Sequence, residues 1–175
     1  MIYGWKMEAL GSFREISANQ INIETISHAL SMQCRFNGHI DRFYSVAEHC
    51  VLCAERISDP QLKLTALLHD ANEAYAGDVI RPVRQIIGKD FEVLASFLEM
   101  KIYSILGITS SQKALDAVKI VDDFMLEVEG RLFFKDWEES DVPLNSDIIE
   151  WQRKIKWNTP EEAKAKFQET YHGIK

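Results

Sequence analysis

The fold is decided by residues 45–78, SVAEHCVLCAERISDPQLKLTALLHDANEAYAGD. His49 lies early in this stretch, the doublet His69–Asp70 follows the apolar run TALL, and further carboxylates come directly after the doublet. Neutral imidazole together with carboxylate oxygen is a ligand set suited to first-row divalent ions such as zinc, cobalt, manganese and iron. The stretch therefore predicts most of a divalent-metal site, and a fourth ligand must come from elsewhere in the chain.

Helix signals surround these residues. Ser45 and Glu48 have the spacing of a capping box, which predicts a helix that carries His49 in its second turn. Asp59–Pro60 has the pattern of an N-cap followed by a first helical residue, so the next helix leads into the doublet. Glu73 follows the doublet by three and four residues, and we expect it on the same helix face.

The rest of the chain also predicts helices. Asn22 is an N-cap candidate for a first helix that ends near Met32, and apolar periodicity predicts helices over 90–106 and 111–134 and two more in the last third. Residues 3–16 mix aromatic and β-branched residues around a Gly-Ser turn signal, which predicts a short N-terminal β-hairpin. The expected fold is an all-α bundle of about six to eight helices in a single domain, 1–175.

The fourth ligand is predicted from VKIVDDFML, residues 118–126. Aspartate is a poor residue inside a helix, and an inward-facing one needs a charge partner or a metal. Neighbouring helical positions point about 100° apart, so only one of the two aspartates can reach the site. Asp122 lies within the apolar stripe of Val118, Val121 and Met125, whereas Asp123 is directed towards solvent.

Composition limits the classes of function that the chain can have. The 175 residues carry a formal charge of −7 without a run of Lys and Arg, which argues against a nucleic-acid polymer as partner. No secretory signal and no membrane-spanning apolar run is found, so we expect a cytoplasmic protein without a membrane partner. The cysteines Cys34, Cys50 and Cys53 are expected to be free thiols, because their odd number argues against a disulfide framework. Cys50-x-x-Cys53 invites a zinc or redox interpretation, but the missing second CxxC and the apolar helical context favour structural burial.

Two groups of residues are candidates for binding an anionic ligand. The segment CRFNGHIDRFY carries Arg35 and Phe36, and a guanidinium can fork onto a phosphate while an aromatic ring stacks on a base or sugar. The alternative is an ordinary loop whose aromatics pack into the core. Arg81 and Arg84 lie on either side of Pro82 and could hold phosphate oxygens, or they could pair with nearby carboxylates.

The combination of His49, His69–Asp70 and Asp122 resembles the H…HD…D signature of the HD-domain metal-dependent phosphohydrolases, which are helical proteins. The wider segments FYSVAEH, ALLHDANEAYAGDVIRPVR and VKIVDDFML resemble the bacterial and phage branch that contains the 5′-deoxynucleotidases and phage dATP triphosphohydrolases. The resemblance covers about residues 22–131, the expected metal-site core.

The resemblance implies a role for each matching residue. His49, His69, Asp70 and Asp122 would bind one divalent ion (Co, Mn, Zn or Mg), and Asp70 would share the catalytic role with Glu73. Glu73 is linked in that branch to the attacking water.

Most of the substrate contacts follow from the same resemblance. Asp78 is linked in that branch to the sugar hydroxyl. Arg81 is a candidate from its charge and not from the resemblance, and it would offset charge on the phosphoryl group. Arg35 and Phe36 correspond to an Arg-Trp pair, so the phenylalanine is a departure, and Arg84 stands where the branch has a lysine.

The predicted reaction is hydrolysis of a deoxynucleotide. A monophosphate would give a nucleoside and phosphate, and a triphosphate such as dATP would give a nucleoside and triphosphate. A catalytically idle HD-fold module that binds or senses nucleotides is the alternative from a different functional class, and a homo-oligomer is expected in either case.

Overall fold

The computed structural model describes residues 19–137 and 143–175, and within these ranges all regular elements are helical. The predicted N-terminal hairpin over 3–16 lies outside the described residues. The elements are α1 (Ile23–Met32), a 3₁₀ helix (Arg35–Gly38), α2 (Val46–Arg56), α3 (Pro60–Leu67), α4 (Glu73–Ala76), α5 (Arg81–Ile87), α6 (Lys89–Leu106), α7 (Gln112–Phe133), α8 (Ser146–Gln152) and α9 (Pro160–Ile174). The all-α class is confirmed, with nine α-helices in these ranges rather than six to eight.

Local capping signals explain most helix starts. Asn22 accepts a hydrogen bond from the backbone N–H of Thr25 at the start of α1, and Asp59 does the same for Gln61 at the start of α3. Ser45 accepts from the N–H of Glu48 at 3.1 Å, as a capping residue should. Each cap was predicted from the sequence, and each is confirmed.

The predicted capping box at the start of α2 is only half formed, so the prediction for the Glu48 side chain is wrong. Glu48 does not return to Ser45; it is buried, and its two carboxylate oxygens accept hydrogen bonds from the backbone N–H groups of residues 156, 157 and 158 at 2.7, 3.1 and 2.9 Å. The side chain thus satisfies the loop between α8 and α9. This carboxylate fixes the C-terminal segment against α2.

Helix α2 is the centre of the bundle. All of its residues from Val46 to Ala54 are buried, and it packs against α1, α3, α7 and α9. A helix that is buried on every side belongs to the core rather than to an amphipathic surface. Any polar side chain on α2 is therefore placed in the interior, which is where His49 lies.

The expected single helix through the doublet is broken, and the prediction for Glu73 is wrong in this respect. Helix α3 ends at Leu67, and the N–H of Leu68 is shared between the carbonyls of Leu64 and Thr65, a tightening common at helix ends. Residues 69–72 form turns, and Glu73 begins the separate helix α4.

The segment after Asp78 is helical. It forms α5, with Pro82 in its first turn, where a missing N–H costs nothing. Across the described ranges 19–137 and 143–175, no helix has both the length and the apolarity needed to cross a bilayer.

Candidate metal centre

The four predicted ligands meet in the structure. His49 comes from α2, His69 and Asp70 from the turn after α3, and Asp122 from the middle of α7. His49 Nε2 lies 3.3 Å from Asp122 Oδ1 and 3.8 Å from Asp70 Oδ2. His69 Nε2 lies 3.2 Å from Asp70 Oδ2 and 3.7 Å from Asp122 Oδ1. Both imidazole nitrogens therefore face the same two carboxylates.

The four imidazole–carboxylate distances are close to those expected between donor atoms of a single divalent ion. Metal–ligand bonds of about 2.0–2.2 Å give tetrahedral ligand–ligand edges of about 3.3–3.6 Å. The four nitrogen–oxygen distances, 3.2–3.8 Å, fall around that range. The buried Nε2 atom of His69 also has no hydrogen-bond partner within the described part of the chain, while its Nδ1 is 2.7 Å from the carbonyl oxygen of Ala66. A buried nitrogen without a partner is costly in a core but is what a metal ligand requires.

Asp122 faces the cluster and Asp123 is directed towards solvent, as predicted. The side chain of Asp122 is 26% exposed and that of Asp123 is 52% exposed. Lys119, which sequence reasoning missed, lies 3.1 Å from Asp122 and 2.5 Å from Asp123. Its spacing of three and four residues on one helix face is the signal that could have revealed it.

Glu129 is a second residue that sequence reasoning missed. It is fully buried on α7, and one of its carboxylate oxygens accepts a hydrogen bond from Tyr44 Oη at 2.8 Å and lies 2.6 Å from His49 Nδ1. Its other oxygen accepts from Arg35 Nε at 3.1 Å. A carboxylate on the far nitrogen of an imidazole favours the tautomer that leaves Nε2 free for a metal. Glu129 follows Asp122 by two helical turns, so the shared face was a usable signal.

The electrostatics of the cluster are balanced by its own charges. Burial lowers the pKa of both imidazoles, and the charge of Arg35 lowers that of His49 further. Cys53, Glu129 and Asp122 around His49, and Asp70, Cys50 and Asp122 around His69, nevertheless raise both pKa values well above the ordinary value. Burial raises the pKa of both carboxyl groups, yet His69 lowers the pKa of Asp70 to about 2, and the two facing imidazoles hold the pKa of Asp122 well below its usual range. In the protein alone, imidazolium groups thus supply the positive charge that the two carboxylates require.

Glu73 lies beside this cluster with one oxygen occupied and one unpaired. Its Oε1 accepts a hydrogen bond from Arg84 at 2.5 Å, and its buried Oε2 has no hydrogen-bond partner among the described residues. Burial, followed by the charges of Asp70 and Asp78, raises the pKa of Glu73 well above that of an ordinary glutamate. Burial likewise raises the pKa of Asp78. Glu73 therefore holds a proton more readily than an ordinary glutamate does.

A cleft of about 1110 Å³ opens onto the cluster. Its lining includes Asp70, Glu73 and Asp122 together with all five predicted substrate contacts, Arg35, Phe36, Asp78, Arg81 and Arg84. In this structure the two helical arginines pair with carboxylates, since Arg84 contacts Glu73 and Arg81 lies 3.7 Å from Asp123. The pairing alternative is thus observed, and both side chains still face the cleft.

The Arg35–Phe36 loop combines both interpretations made from the sequence. Arg35 is largely buried between Glu129 and Asp70, whose Oδ2 is 3.7 Å from the guanidinium. The Phe36 ring packs edge-on against Phe133 and Phe134, at centroid distances of 5.7 and 5.2 Å, while it lines the cleft. Its φ of 56° is unusual for a bulky residue. Strain of this kind persists where the surrounding packing holds it in place.

The cysteines are buried as predicted, but they are not remote from the site. Cys50 and Cys53 are both free and fully buried. Cys53 Sγ lies 3.5 Å from His49 Nε2, and ligand atoms of His49, Cys53 and His69 lie within 4.8 Å of one another. Cys50 forms a similar group with His69 and Asp70. The interpretation of both thiols as packing alone is therefore incomplete.

Comparison with known proteins identifies two relatives of this chain. The fold and the centre define an all-helical protein with a candidate site of two histidines and two aspartates. No protein-family model matches the chain. It is 34% identical over 119 residues to the uncharacterized protein YfdR of Escherichia coli, covering 68% of this chain and 65% of YfdR. It is 33% identical to the uncharacterized protein RCAP_rcc00048 of Rhodobacter capsulatus over 87% of this chain and 84% of the relative. The chain belongs to the family of this Rhodobacter protein.

Proposed function

We propose that the protein is a divalent-metal-dependent phosphohydrolase of the HD-domain class that acts on deoxynucleotides. The observation that carries the proposal is the meeting of two imidazoles and two partly exposed carboxylates at one side of a cleft lined by arginines, with imidazole–carboxylate distances of 3.2–3.8 Å. Structural ion-pair clusters also bury histidines and aspartates. The Nε2 atom of His69 faces two carboxylates without making a hydrogen bond within the described residues, and the cavity is lined by arginines; a purely structural cluster needs neither feature.

The ligand set would be His49, His69, Asp70 and Asp122. When bound, the ion supplies a Lewis acid that polarises a phosphoryl oxygen and lowers the pKa of a bound water. The mixed imidazole and carboxylate donors suit Co, Mn and Zn, and Mg is included because carboxylates and a substrate phosphate can hold it.

The residues around the cleft have separate roles in this proposal. Glu73 takes the proton of the attacking water at its unpaired oxygen, because burial gives this carboxyl group an unusually high affinity for protons. Arg84 and Arg81 offset negative charge on the phosphoryl group. Arg84 must exchange its contact with Glu73 for the phosphate, which would free the second oxygen of Glu73 as the substrate binds. Asp78 is directed to the sugar hydroxyl.

The proposal includes two substrate classes, deoxynucleoside monophosphates and triphosphates, which differ in the length of the phosphate chain. A monophosphate needs cationic partners only around the phosphorus next to the sugar, whereas a triphosphate needs more of them further along the cleft. Lys119 and Lys135 line the same cleft in addition to the arginines. Both deoxynucleoside monophosphates and triphosphates therefore remain within the proposal.

The test is a product assay with dAMP and dATP. Purified protein is incubated with each nucleotide in the presence of Co²⁺, Mn²⁺, Zn²⁺ or Mg²⁺, and the released phosphate species is identified. The proposal predicts a deoxynucleoside with phosphate from dAMP, or with triphosphate from dATP, and loss of turnover in Asp70→Asn. Unchanged turnover in Asp70→Asn would contradict the assignment of Asp70 as a metal ligand.

The idle nucleotide-binding module is favoured by one observation, the contact of 2.5 Å that holds Glu73 against Arg84. If this pairing persists with ligand bound, the proton acceptor is not available. In that case dAMP or dATP raises the melting temperature of the protein and no product forms with any metal. Product formation with wild-type protein excludes this alternative.

A homo-oligomer is also part of the proposal. Helix α5 exposes the apolar side chains Val83, Ile86 and Ile87, and α6 exposes Val93 and Met100. Several exposed apolar side chains on two consecutive helices are a feature of surfaces that contact another subunit. Light scattering after size-exclusion chromatography should give a mass that is a multiple of the 20.2 kDa chain. A mass of one chain at micromolar concentration would contradict this part of the proposal.

A further inference from the structure

The first metal-ligand candidate on α2 is followed by two thiols. In His49–Cys50–Val51–Leu52–Cys53, residue 53 lies one helical turn beyond residue 49, so both side chains share a face. Cys53 Sγ lies 3.5 Å from His49 Nε2, the same nitrogen that faces the carboxylates of Asp70 and Asp122. The sulfur thus lies at the boundary of the candidate site.

The distance between these two atoms has a simple geometric meaning. A tetrahedral zinc ion with a Zn–S bond of about 2.3 Å and a Zn–N bond of about 2.0–2.1 Å separates the sulfur and nitrogen by about 3.5 Å. The observed separation of Cys53 Sγ and His49 Nε2 is 3.5 Å. His69 offers a further ligand atom within 4.8 Å of both, and its buried Nε2 has no hydrogen-bond partner in the described part of the chain.

Sulfur and oxygen ligands select different ions. Thiolates favour thiophilic ions such as Zn²⁺ and Cd²⁺, while carboxylates favour Mg²⁺ and Mn²⁺. A site with both kinds of donor beside the same two imidazoles can present either set, depending on the ion.

We infer that Cys53 gives this centre a second ligand set, in which His49, His69 and Cys53 bind a thiophilic divalent ion. Hard ions use the two imidazoles and two carboxylates instead. As the metal–sulfur and metal–nitrogen bonds form, the thiol of Cys53 and the imidazolium groups of His49 and His69 lose their protons, which pass to solvent. The inference rests on the metal site of the proposed function but not on its hydrolytic activity. Cys53 would thereby set which ions the protein retains.

Cys50 is the competing candidate for a sulfur ligand. Its sulfur belongs to a separate group with His69 and Asp70, whose ligand atoms lie within 4.8 Å of one another. Cys34 is a third free thiol, partly exposed and outside both groups. The three cysteines can therefore be compared by the same substitution to serine.

The experiment is a titration with Cd²⁺, followed by the ultraviolet charge-transfer absorption of a cadmium–thiolate bond. Wild-type protein, Cys53→Ser, Cys50→Ser and Cys34→Ser are titrated with Cd²⁺, and Mn²⁺ binding to each is measured by calorimetry. Wild type should develop the band at one ion per chain. Cys53→Ser should lose the band and bind Cd²⁺ at least about tenfold more weakly, since even an outer partner of a ligand contributes that much. Its affinity for Mn²⁺ should be unchanged.

Several outcomes would overturn the inference. A band that survives in Cys53→Ser, or that is lost in Cys50→Ser or Cys34→Ser alone, assigns the sulfur to another residue. Mn²⁺ binding without a Cd²⁺ band in wild type contradicts the second ligand set and leaves the proposed function intact. Wild-type protein that binds neither ion contradicts both.

Discussion

The substitution Glu129→Gln removes one negative charge from the core while keeping the shape of the side chain. Glu129 is fully buried, and its partners are His49, Tyr44 and Arg35. Burial raises the pKa of Glu129, but the charges of Arg35 and His49 lower it below the ordinary value, so the carboxylate is ionised at neutral pH. The variant therefore tests a charged group and not a protonated one.

Two magnitudes follow from these contacts. Breaking a buried ion pair by removing one partner costs about 3–5 kcal/mol, because the remaining charge is left without compensation. The ion pair left to Arg35 is the longer one with Asp70, at 3.7 Å, so we expect a loss of about 3–5 kcal/mol in the free energy of unfolding. Loss of the partner that orients a metal-binding imidazole weakens metal affinity by about 10–100-fold, or about 1.4–2.8 kcal/mol.

Urea unfolding and calorimetric titration with Mn²⁺ measure the two effects separately, at a temperature where both variants are folded. Glu127→Gln is the matched control, because Glu127 is on the same helix and pairs with Arg131 and Trp137 instead of a candidate ligand. The control should leave Mn²⁺ affinity unchanged. If Glu129→Gln is destabilised but binds Mn²⁺ as tightly as wild type, Glu129 holds the core together and has no role in orienting His49.

Three further predictions concern pH, a buried carboxylate and a glycine. Because folding raises the pKa values of His49 and His69, protonation of these residues stabilises the metal-free protein. This stabilisation is fully present below about pH 6.5 and is lost as the pH rises through the raised pKa values. A metal ion must displace the same protons when it binds. The increase in melting temperature caused by Mn²⁺ should therefore grow between about pH 6 and pH 8, and a shrinking increase would refute the assignment. Glu48→Ala should lose about 3 kcal/mol or more in urea unfolding, because three backbone N–H groups lose a charged acceptor; a loss below 1 kcal/mol would show that water replaces it. Gly130→Ala should lose about 1–3 kcal/mol, since its new Cβ would overlap the Trp137 ring, and wild-type stability would show that the ring moves freely.

Local signals in the sequence were sufficient for most of the fold. The caps Asn22, Ser45 and Asp59 each act on a backbone N–H two or three residues away, so their effect is contained in a short segment. Asp122 was placed correctly for a similar reason, because its burial follows from the apolar stripe of its own helix. The remaining ligands were chosen by residue type and resemblance, and the structure brings both imidazoles within 3.2–3.8 Å of the carboxylates of Asp70 and Asp122.

What the sequence did not predict depends on contacts between distant segments. Glu129 meets partners 80 to 94 residues away, and Glu48 meets backbone groups 108 to 110 residues away. The end of α3 before His69 has another cause. The apolar run TALL continues past the last helical residue, so periodicity contains no stop signal where the hydrogen bonds of Leu68 tighten.

The most direct measurement of the central claim is the stoichiometry and affinity of Mn²⁺ binding to wild type, Asp122→Asn and Asp123→Asn. The two aspartates are adjacent, and both contact Lys119, but only Asp122 faces the imidazoles. We predict one ion per chain in wild type, at least about tenfold weaker binding in Asp122→Asn, and unchanged binding in Asp123→Asn. Absence of binding in wild type, or equal losses in the two variants, would contradict a metal centre built from His49, His69, Asp70 and Asp122.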